Sequence, residues 1–525
     1  MQLQKRPTKI YHVLTHWQNF RLRLFGEGIV IGVVAGLTII LFRYSIEQAE
    51  LLRTAIFIHL HAEAWPFTVL WFLCLLGISY ILGLIVRIEP MSAGSGIPQV
   101  RGTILGLMKM NWLRIVLSKF LGGVLAIGAG LSLGREGPSI QLGATLGQGL
   151  SRLAGRTRME ERYLLTSGAS AGLAAAFNAP LAGVIFSLEE LHKNFSPVVL
   201  IPAVTAALTA DAMTQYFFGH IPIFNFTGLP VFPLRYYGVL IVLGVVTGIL
   251  GIAFNRVLIK TLDIFEKQNL LSGMGKIALP LLIAGIAGFF LPEILGGGNG
   301  LVGAIAANHF GLKLLAILLM AKFLFTMISY GSGAPGGIFL PMLVIGALTG
   351  GVFNSVATQF GGLDPHYGTN IIVFSMAAYF TAVVKAPITG SILIMEMTGS
   401  FEHMLSLIFV SMASYLVAEI TKSKPIYEQL LERSLEKSRG LPGHKAAEKQ
   451  MVVELVVCLG SKLNNQQVKR IDWPVHCLLV NIKRGDMEIV PDGNTRIMTG
   501  DYLYVLASTY QVDKIRALAE ECVFP

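Results

Sequence analysis

A chain of 525 residues has the length of three or four soluble domains, but its composition excludes that reading: 53% of residues are hydrophobic, 14% are charged, and the mean hydropathy is +0.64. That balance leaves too few polar side chains to cover the surface of most of the chain with water-compatible groups. The net charge of +10 is unevenly placed, and the basic patches lack the interleaved aromatics of a nucleic-acid surface, so nucleic acid is excluded as a partner.

In chain order, residues 1–26 carry Lys5, Arg6, Lys9, Arg21 and Arg23 and no acid, and no short apolar stretch with a small-residue cleavage site precedes the first span. Charge-free apolar stretches follow at Pro66 to Val86, Val198 to Ala210, Tyr237 to Ala253 and Asn370 to Val384. A helix needs about 20 apolar residues to cross the hydrocarbon. Several stretches fall short of that, and short or Gly/Pro-interrupted segments point to half-helices that end inside the membrane. Many of the 57 glycines lie inside these segments, where they allow close helix packing. Arg152, Arg156, Arg158 and Arg162 occupy one loop; Lys422, Lys424, Arg433, Lys437 and Arg439 follow the last apolar segment, which ends near Ile420. With the N-terminal cluster, all three basic regions read as cytoplasmic.

Gly440, Pro442 and Gly443 mark a linker. Beyond it, short β-type runs at Val452–Val457, Cys477–Ile482, Met487–Val490 and Tyr502–Leu506 are separated by turns at Arg484-Gly485-Asp486 and Pro491 to Asn494. An amphipathic helix at Gln511–Glu520 closes a small α+β module. Cys74, Cys458, Cys477 and Cys522 show no CxxC spacing and no disulfide framework, which suggests a reducing compartment for the three in the C-terminal part.

The membrane part repeats itself. Lys119-Phe120-Leu121 recurs as Lys322-Phe323-Leu324, 203 positions on, and the same offset carries Gly128, Gly130, Gly134, Pro138 and Gly143-Ala144 onto Gly331, Gly333, Gly337, Pro341 and Gly346-Ala347. Ala179 to Gly183 resembles Ala386 to Gly390 at an offset of 207, and Glu189 and Glu396 follow at matching places. Two related halves result, about 27–215 and 235–420, with a site expected at their interface. The repeat alone leaves open whether they run parallel or inverted.

Three elements, Gly94-Ser95-Gly96-Ile97-Pro98, Gly134-Arg135-Glu136-Gly137-Pro138 and Gly337-Ile338-Phe339-Leu340-Pro341, place glycines and then proline ahead of an apolar run. Proline suits a first helical turn, and open amides at a helix N-terminus attract an anion without a lysine or arginine that would hold it too tightly to release. Glu136, an ionisable group in an apolar region, is a functional residue by default. Its carboxylate can occupy the place of an anion, and protonation removes that charge and frees the side chain. Arg135 reads as a salt-bridge partner in preference to an anion ligand. Neighbouring Glu189 and Glu190 point in different directions on a helix and so have different roles. Lys119 and Lys322 either shape the field of the pathway or pair with acids.

The three glycine-rich elements, with Ala174 to Pro180 and Lys385-Ala386-Pro387, resemble the signature motifs of the CLC chloride channel and transporter family over about residues 27–430. The resemblance implies an all-α polytopic membrane protein of two inverted-repeat halves with broken helices, assembled as a homodimer with one pore per subunit. It implies a chloride site built from the hydroxyls of Ser95 and Tyr427 and the amides of Ile338 and Phe339, with Glu136 as gate. It also implies a proton relay at Glu190, a position often apolar in channels; the alternative for Glu190 is a solvated helix end. Glu396 is expected to bond helix ends or backbone in the dimer. Gln99 and Arg101 depart from the pattern, since some relatives carry acids there. Residues 450–525 resemble the TrkA-C module of potassium-conductance regulators, which implies dimerisation and either a small-molecule ligand that regulates transport or a dimer-stabilising appendage without a ligand. The expectation is therefore a chloride/proton exchanger of the cell membrane with both termini cytoplasmic, the alternative being a passive voltage- or pH-gated chloride channel. It is no enzyme and needs no metal or cofactor beyond the transported ions. The expected segments are 1–26 cytosolic, 27–430 transmembrane, 431–450 linker and 451–525 regulatory.

Overall fold

The computed structural model describes residues 8–62, 65–193, 195–220, 222–224, 226, 228–268, 273–307, 309–439, 450–458, 461–474, 477–485, 487–508 and 515. They form two compact units, 1–435 and 436–525.

The first unit is helical because a chain in hydrocarbon must satisfy its backbone groups internally. Its first half comprises α1 (Thr8–Ala62), α2 (Trp65–Ile88), α3 (Ile97–Ile104), α4 (Trp112–Gly128), α5 (Glu136–Leu153), α6 (Arg158–Phe177), α7 (Pro180–Phe186) and α8 (Pro197–Phe218), with a π-helical turn at Ser187–His192. The second comprises α9 (Tyr237–Lys267), α10 (Gly273–Phe290), α11 (Asn299–Ala306), α12 (Leu312–Gly331), α13 (Phe339–Phe360), α14 (Gly368–Val384), α15 (Pro387–Thr398) and α16 (Met404–Ile420), and α17 (Ile426–Arg439) ends the unit. Helix α1 thus continues without a break through residues 8–26. Among the described residues eight helices are long and apolar enough to cross a membrane; α3, α7 and α11, of 8, 7 and 8 residues, are the short pieces that the interrupted hydropathy predicts.

The halves correspond helix by helix. The starts of α5 and α13 differ by 203 positions, and those of α7 and α15, and of α8 and α16, by 207. The packing repeats as well: α5 on α6 matches α13 on α14, and α1 on α8 matches α9 on α16. Equivalent elements meet across the boundary. Helix α2 packs on α10 and α7 on α15, while Gly134 and Gly337 exchange hydrogen bonds of 2.7 and 2.8 Å as an antiparallel bridge. Reciprocal contact between equivalent residues requires a local two-fold axis, and the two halves are an inverted repeat. Local chain geometry follows the same symmetry. Asn178 and Lys385, 207 positions apart, both end their helices in the left-handed conformation (φ 53° and 61°) just before the Ala-Pro that starts α7 and α15. The buried glycines serve close approach: a Cβ at Gly143 would run into the carbonyl of Gly168 on α6, and one at its counterpart Gly346 would stand 3.0 Å from the Met376 Cα on α14.

The second unit holds a four-stranded antiparallel sheet, β1 (Gln450–Val456), β2 (Leu478–Arg484), β3 (Met487–Ile489) and β4 (Tyr502–Ser508), in the order β1-β4-β2-β3. Alternate residues, including Val453, Leu455, Leu503, Val505 and Ile482, turn to one buried core that Ile515 joins. The strands lie where the alternation predicts them. The linker glycines 440 and 443 lie outside the described residues, as does the closing helix at 511–520 apart from Ile515.

Candidate ion pathway

The three glycine-rich elements converge. Gly94 and Gly96 take φ of +63° and +91°, which turns the chain into α3 with Ser95 between them. The Gly94 carbonyl accepts from the Gly336 amide at 3.0 Å, and Gly134 bridges Gly337. A Cβ at Gly137 would stand 2.5 Å from Ser95 Oγ and 3.2 Å from the Gly337 Cα, so the starts of α5 and α13 and the Ser95 turn lie in contact.

Ser95, Glu136, Ile338, Phe339 and Tyr427 are all buried. Among the described residues the hydroxyls of Ser95 and Tyr427 and both carboxylate oxygens of Glu136 have no hydrogen-bond partner. Buried polar atoms are normally paired, so hydroxyl donors held in this way suit an anion that accepts from both. Phe339 packs against Phe380, Phe177 and Phe186 with ring centres 4.9, 5.4 and 5.8 Å apart, and Phe186 sits edge-on to Tyr427 at 6.3 Å. This aromatic chain brings α17, outside the repeat, to the same centre as α13. Tyr427 lies within electrostatic reach of Tyr330, Glu190 and Glu136. The Tyr330 hydroxyl, which sequence reasoning did not single out, abuts Gly94.

Glu136 opens α5, its carboxylate over Gly134, where the missing Cβ leaves room, and beside the amides of its own residue and Leu340. A carboxylate at that place has the partial positive charge of a helix N-terminus for company. Arg135 pairs with Glu47 at 3.2 Å, and Glu47 also accepts from Arg43 at 3.0 Å, so Arg135 is engaged in a salt bridge. A cavity of about 600 Å³, whose lining includes Glu47, Glu50, Arg53, Arg135, Gly297 and Leu340, opens on this side.

Glu190 sits in the π-helical turn with its side chain 4% exposed and bonded to Arg101 at 2.8 Å, which rules out a solvated helix end. Glu189 diverges from it and accepts from the Thr389 amide and hydroxyl of α15 at 2.9 and 2.6 Å. Glu396 answers from the other half, accepting from the Leu181 and Ala182 amides of α7 at 3.1 and 2.8 Å. Each half thus caps a short helix of the other. Lys119 and Lys322 are buried and bond carbonyls, not acids: Lys119 Nζ reaches Ser92 O and Gly94 O at 2.9 and 2.5 Å, and Lys322 Nζ reaches Ile294 O and Gly296 O at 2.8 and 2.8 Å. These carbonyls are themselves equivalents, 202 positions apart. They reveal that the turn Pro292 to Gly298 repeats Pro90 to Gly96, a match the sequence carries in one proline and two glycines.

An inverted repeat of broken helices around buried hydroxyls and one carboxylate defines a polytopic membrane protein with an anion-type site at its centre. Comparisons agree with that class. A family model described as voltage gated chloride channel matches residues 77–419, and the TrkA-C domain model matches 452–520. The H(+)/Cl(-) exchange transporter ClcA of Salmonella agona is 34% identical over 78% of this chain and 88% of its own length; that of Vibrio cholerae serotype O1 is 34% identical over 83% and 95%. A solved structure, a slow cyanobacterial Cl-/H+ antiporter, superposes with a TM-score of 0.76 at 31% identity, covering 79% of this chain and 99% of that one. A CLC-type fluoride/proton antiporter, 23% identical with a TM-score of 0.65 over 77% and 97%, shares the fold. The chain belongs to the voltage gated chloride channel family, the CLC family, and carries a C-terminal TrkA-C domain.

Proposed function

We propose that the protein exchanges chloride for protons across a membrane. The observation that carries this reading is the pair of buried carboxylates, Glu136 and Glu190, one beside the helix N-termini and the other near Tyr427, with the unpartnered hydroxyls of Ser95 and Tyr427 in the same buried centre. Chloride accepts from those hydroxyls and from the amides of Ile338 and Phe339, and leaves because none of these groups is a full charge. Deprotonated Glu136 competes with chloride for the same positive field; protonated, it has no reason to stay there. Proton binding and anion entry are therefore linked through one group. Glu190 passes protons between Glu136 and the water on its own side. Relatives named as exchangers favour this reading over a passive channel.

The protein acts as a homodimer, the assembly the family resemblance implies, in the cell membrane. The basic residues expected in one loop lie at the end of α5 (Arg152), in the connection (Arg156) and at the start of α6 (Arg158, Arg162), where Arg23 of α1 pairs with Glu160 and Arg156 with Glu27, while Arg433 of α17 pairs with Asp263 of α9; these basic regions and both termini are cytoplasmic. The TrkA-C domain receives a small-molecule ligand that tunes transport. The test is Glu136→Ala in liposomes: chloride flux persists, and the proton-to-chloride ratio falls about tenfold or more. A variant that stays fully coupled contradicts the gate.

A further inference from the structure

Arg101, on the last turn of α3, stands between two acids. Its Nη1 donates to Glu190 Oε1 at 2.8 Å, and its Nη2 faces Glu428 Oε1 on α17 at 3.8 Å, beyond hydrogen-bond reach. Its Nε is buried without a hydrogen-bond partner among the described residues. The side chains of Glu190 and Arg101 are 4% and 5% exposed, that of Glu428 39%. The other charged groups around Glu190 are Lys193 and Glu189, and Glu189 is bonded to Thr389. A single guanidinium thus serves a buried and a half-open carboxylate, on the elements that also carry Ser95 and Tyr427.

This geometry poses a difficulty for a proton carrier. Burial disfavours a charged Glu190 and the arginine at 2.8 Å offsets that cost, but a carrier must become neutral once in each cycle, and a neutral Glu190 would leave the buried guanidinium without a counter-charge. The second carboxylate removes the difficulty, because the arginine can change partners. We propose that Glu428 is the proton-accepting residue at the water-facing end of the pathway, and that Arg101 is a positioning residue which moves between Glu190 and Glu428. A proton from water first neutralises Glu428 while Arg101 remains with Glu190. The proton then passes to the Glu190 carboxylate as the guanidinium shifts to the newly charged Glu428. The three side chains together hold no net charge before and after that second step, so it needs no further counter-ion. Glu190, now neutral and released, hands the proton inward. The proposal rests on the exchange reading above and adds Arg101 and Glu428 to it.

The test measures chloride-driven proton movement in liposomes for the unsubstituted protein, Glu428→Gln, Glu432→Gln and the double variant Arg101→Gln/Glu428→Gln, each checked for a single symmetric elution peak. Glu432, one turn further along α17 and paired with Lys424 at 2.9 Å, is the control for charge on that helix. In Glu428→Gln the arginine has no second partner and keeps Glu190 charged, so the proton-to-chloride ratio falls about fivefold while Glu432→Gln matches the unsubstituted protein. Removing the arginine as well unlocks Glu190 and opens it to water, so Glu190 takes protons directly and the double variant returns to within about twofold of the starting ratio. An unchanged ratio in Glu428→Gln, or a double variant no better than the single one, overturns the proposal. If the unsubstituted protein itself moves no protons under a chloride gradient, the exchange reading fails first and takes this inference with it.

Discussion

Single atoms decide much at this site. Gly137 has no Cβ because Ser95 Oγ and Ser95 O stand 2.5 and 2.7 Å from where one would be. The hydroxyl can rotate away but the carbonyl oxygen is backbone, so an added methyl forces the turn itself to shift, and overpacking of this kind costs about 1–3 kcal/mol. We expect Gly137→Ala to push the Ser95 turn off α5 and to weaken chloride binding about tenfold, read by titration calorimetry, with only a modest loss of thermal stability. Unchanged affinity would show that Ser95 does not touch the anion. The same scale marks a limit of the sequence. Glu136, Ser95 and Tyr427 stand out by residue type and motif, but the partner of Arg101 does not. Glu190 lies 89 positions away and Glu428 is on another helix, and nothing in local spacing tells a buried arginine which acid it will meet.

At the scale of elements, strands and helix starts were legible because alternation, glycine and proline have direct backbone consequences. The turn Pro292 to Gly298 was not, since the residue matching Ser95 is Gly297 and the identity that remains is slight; its role shows only when Lys322 is seen to clamp it as Lys119 clamps Pro90 to Gly96. In the C-terminal sheet, Asp501 lies at the foot of β4 with its carboxylate gripped by Arg484 of β2 at 2.7 and 2.8 Å and by the Met498 amide at 2.8 Å. Burial pushes that carboxyl up, but the Arg484 and Met498 hydrogen bonds and the Arg484 charge outweigh it, and the net shift is downward. A depressed folded value means that the stabilisation is complete above the unfolded value of about 3.9 and is lost as pH falls through the folded one. Asp501→Asn is therefore expected to lower the protection of β2 and β4 against hydrogen exchange at pH 7 by about 2 kcal/mol and to leave little acid dependence in it. Equal protection in both proteins would remove this ion pair from the account of the sheet.

Over the whole molecule, a symmetric scaffold carries asymmetric chemistry. Each half offers a GxG turn clamped by a buried lysine, a helix started at a bridged glycine, and a short helix capped by a glutamate of the other half. The residues proposed to carry transport are those that break the symmetry: Ser95 faces Gly297, Glu136 faces Phe339, Arg101 faces Gly303 and Glu190 faces Met397 in the alignment of the two halves, while Tyr427 has no counterpart. In the proposed mechanism symmetric helix starts give the anion a path with similar fields on both sides, and one acid near each end gives protons a path that only partly overlaps it. The measurement that tests this most directly is proton movement in liposomes holding the unsubstituted protein, with a chloride gradient and no initial pH difference. Chloride flow is expected to drive protons against the pH gradient that builds up, with the sign reversing when the chloride gradient is reversed. Chloride flux with protons that only relax toward equilibrium would make the protein a passive channel and contradict it.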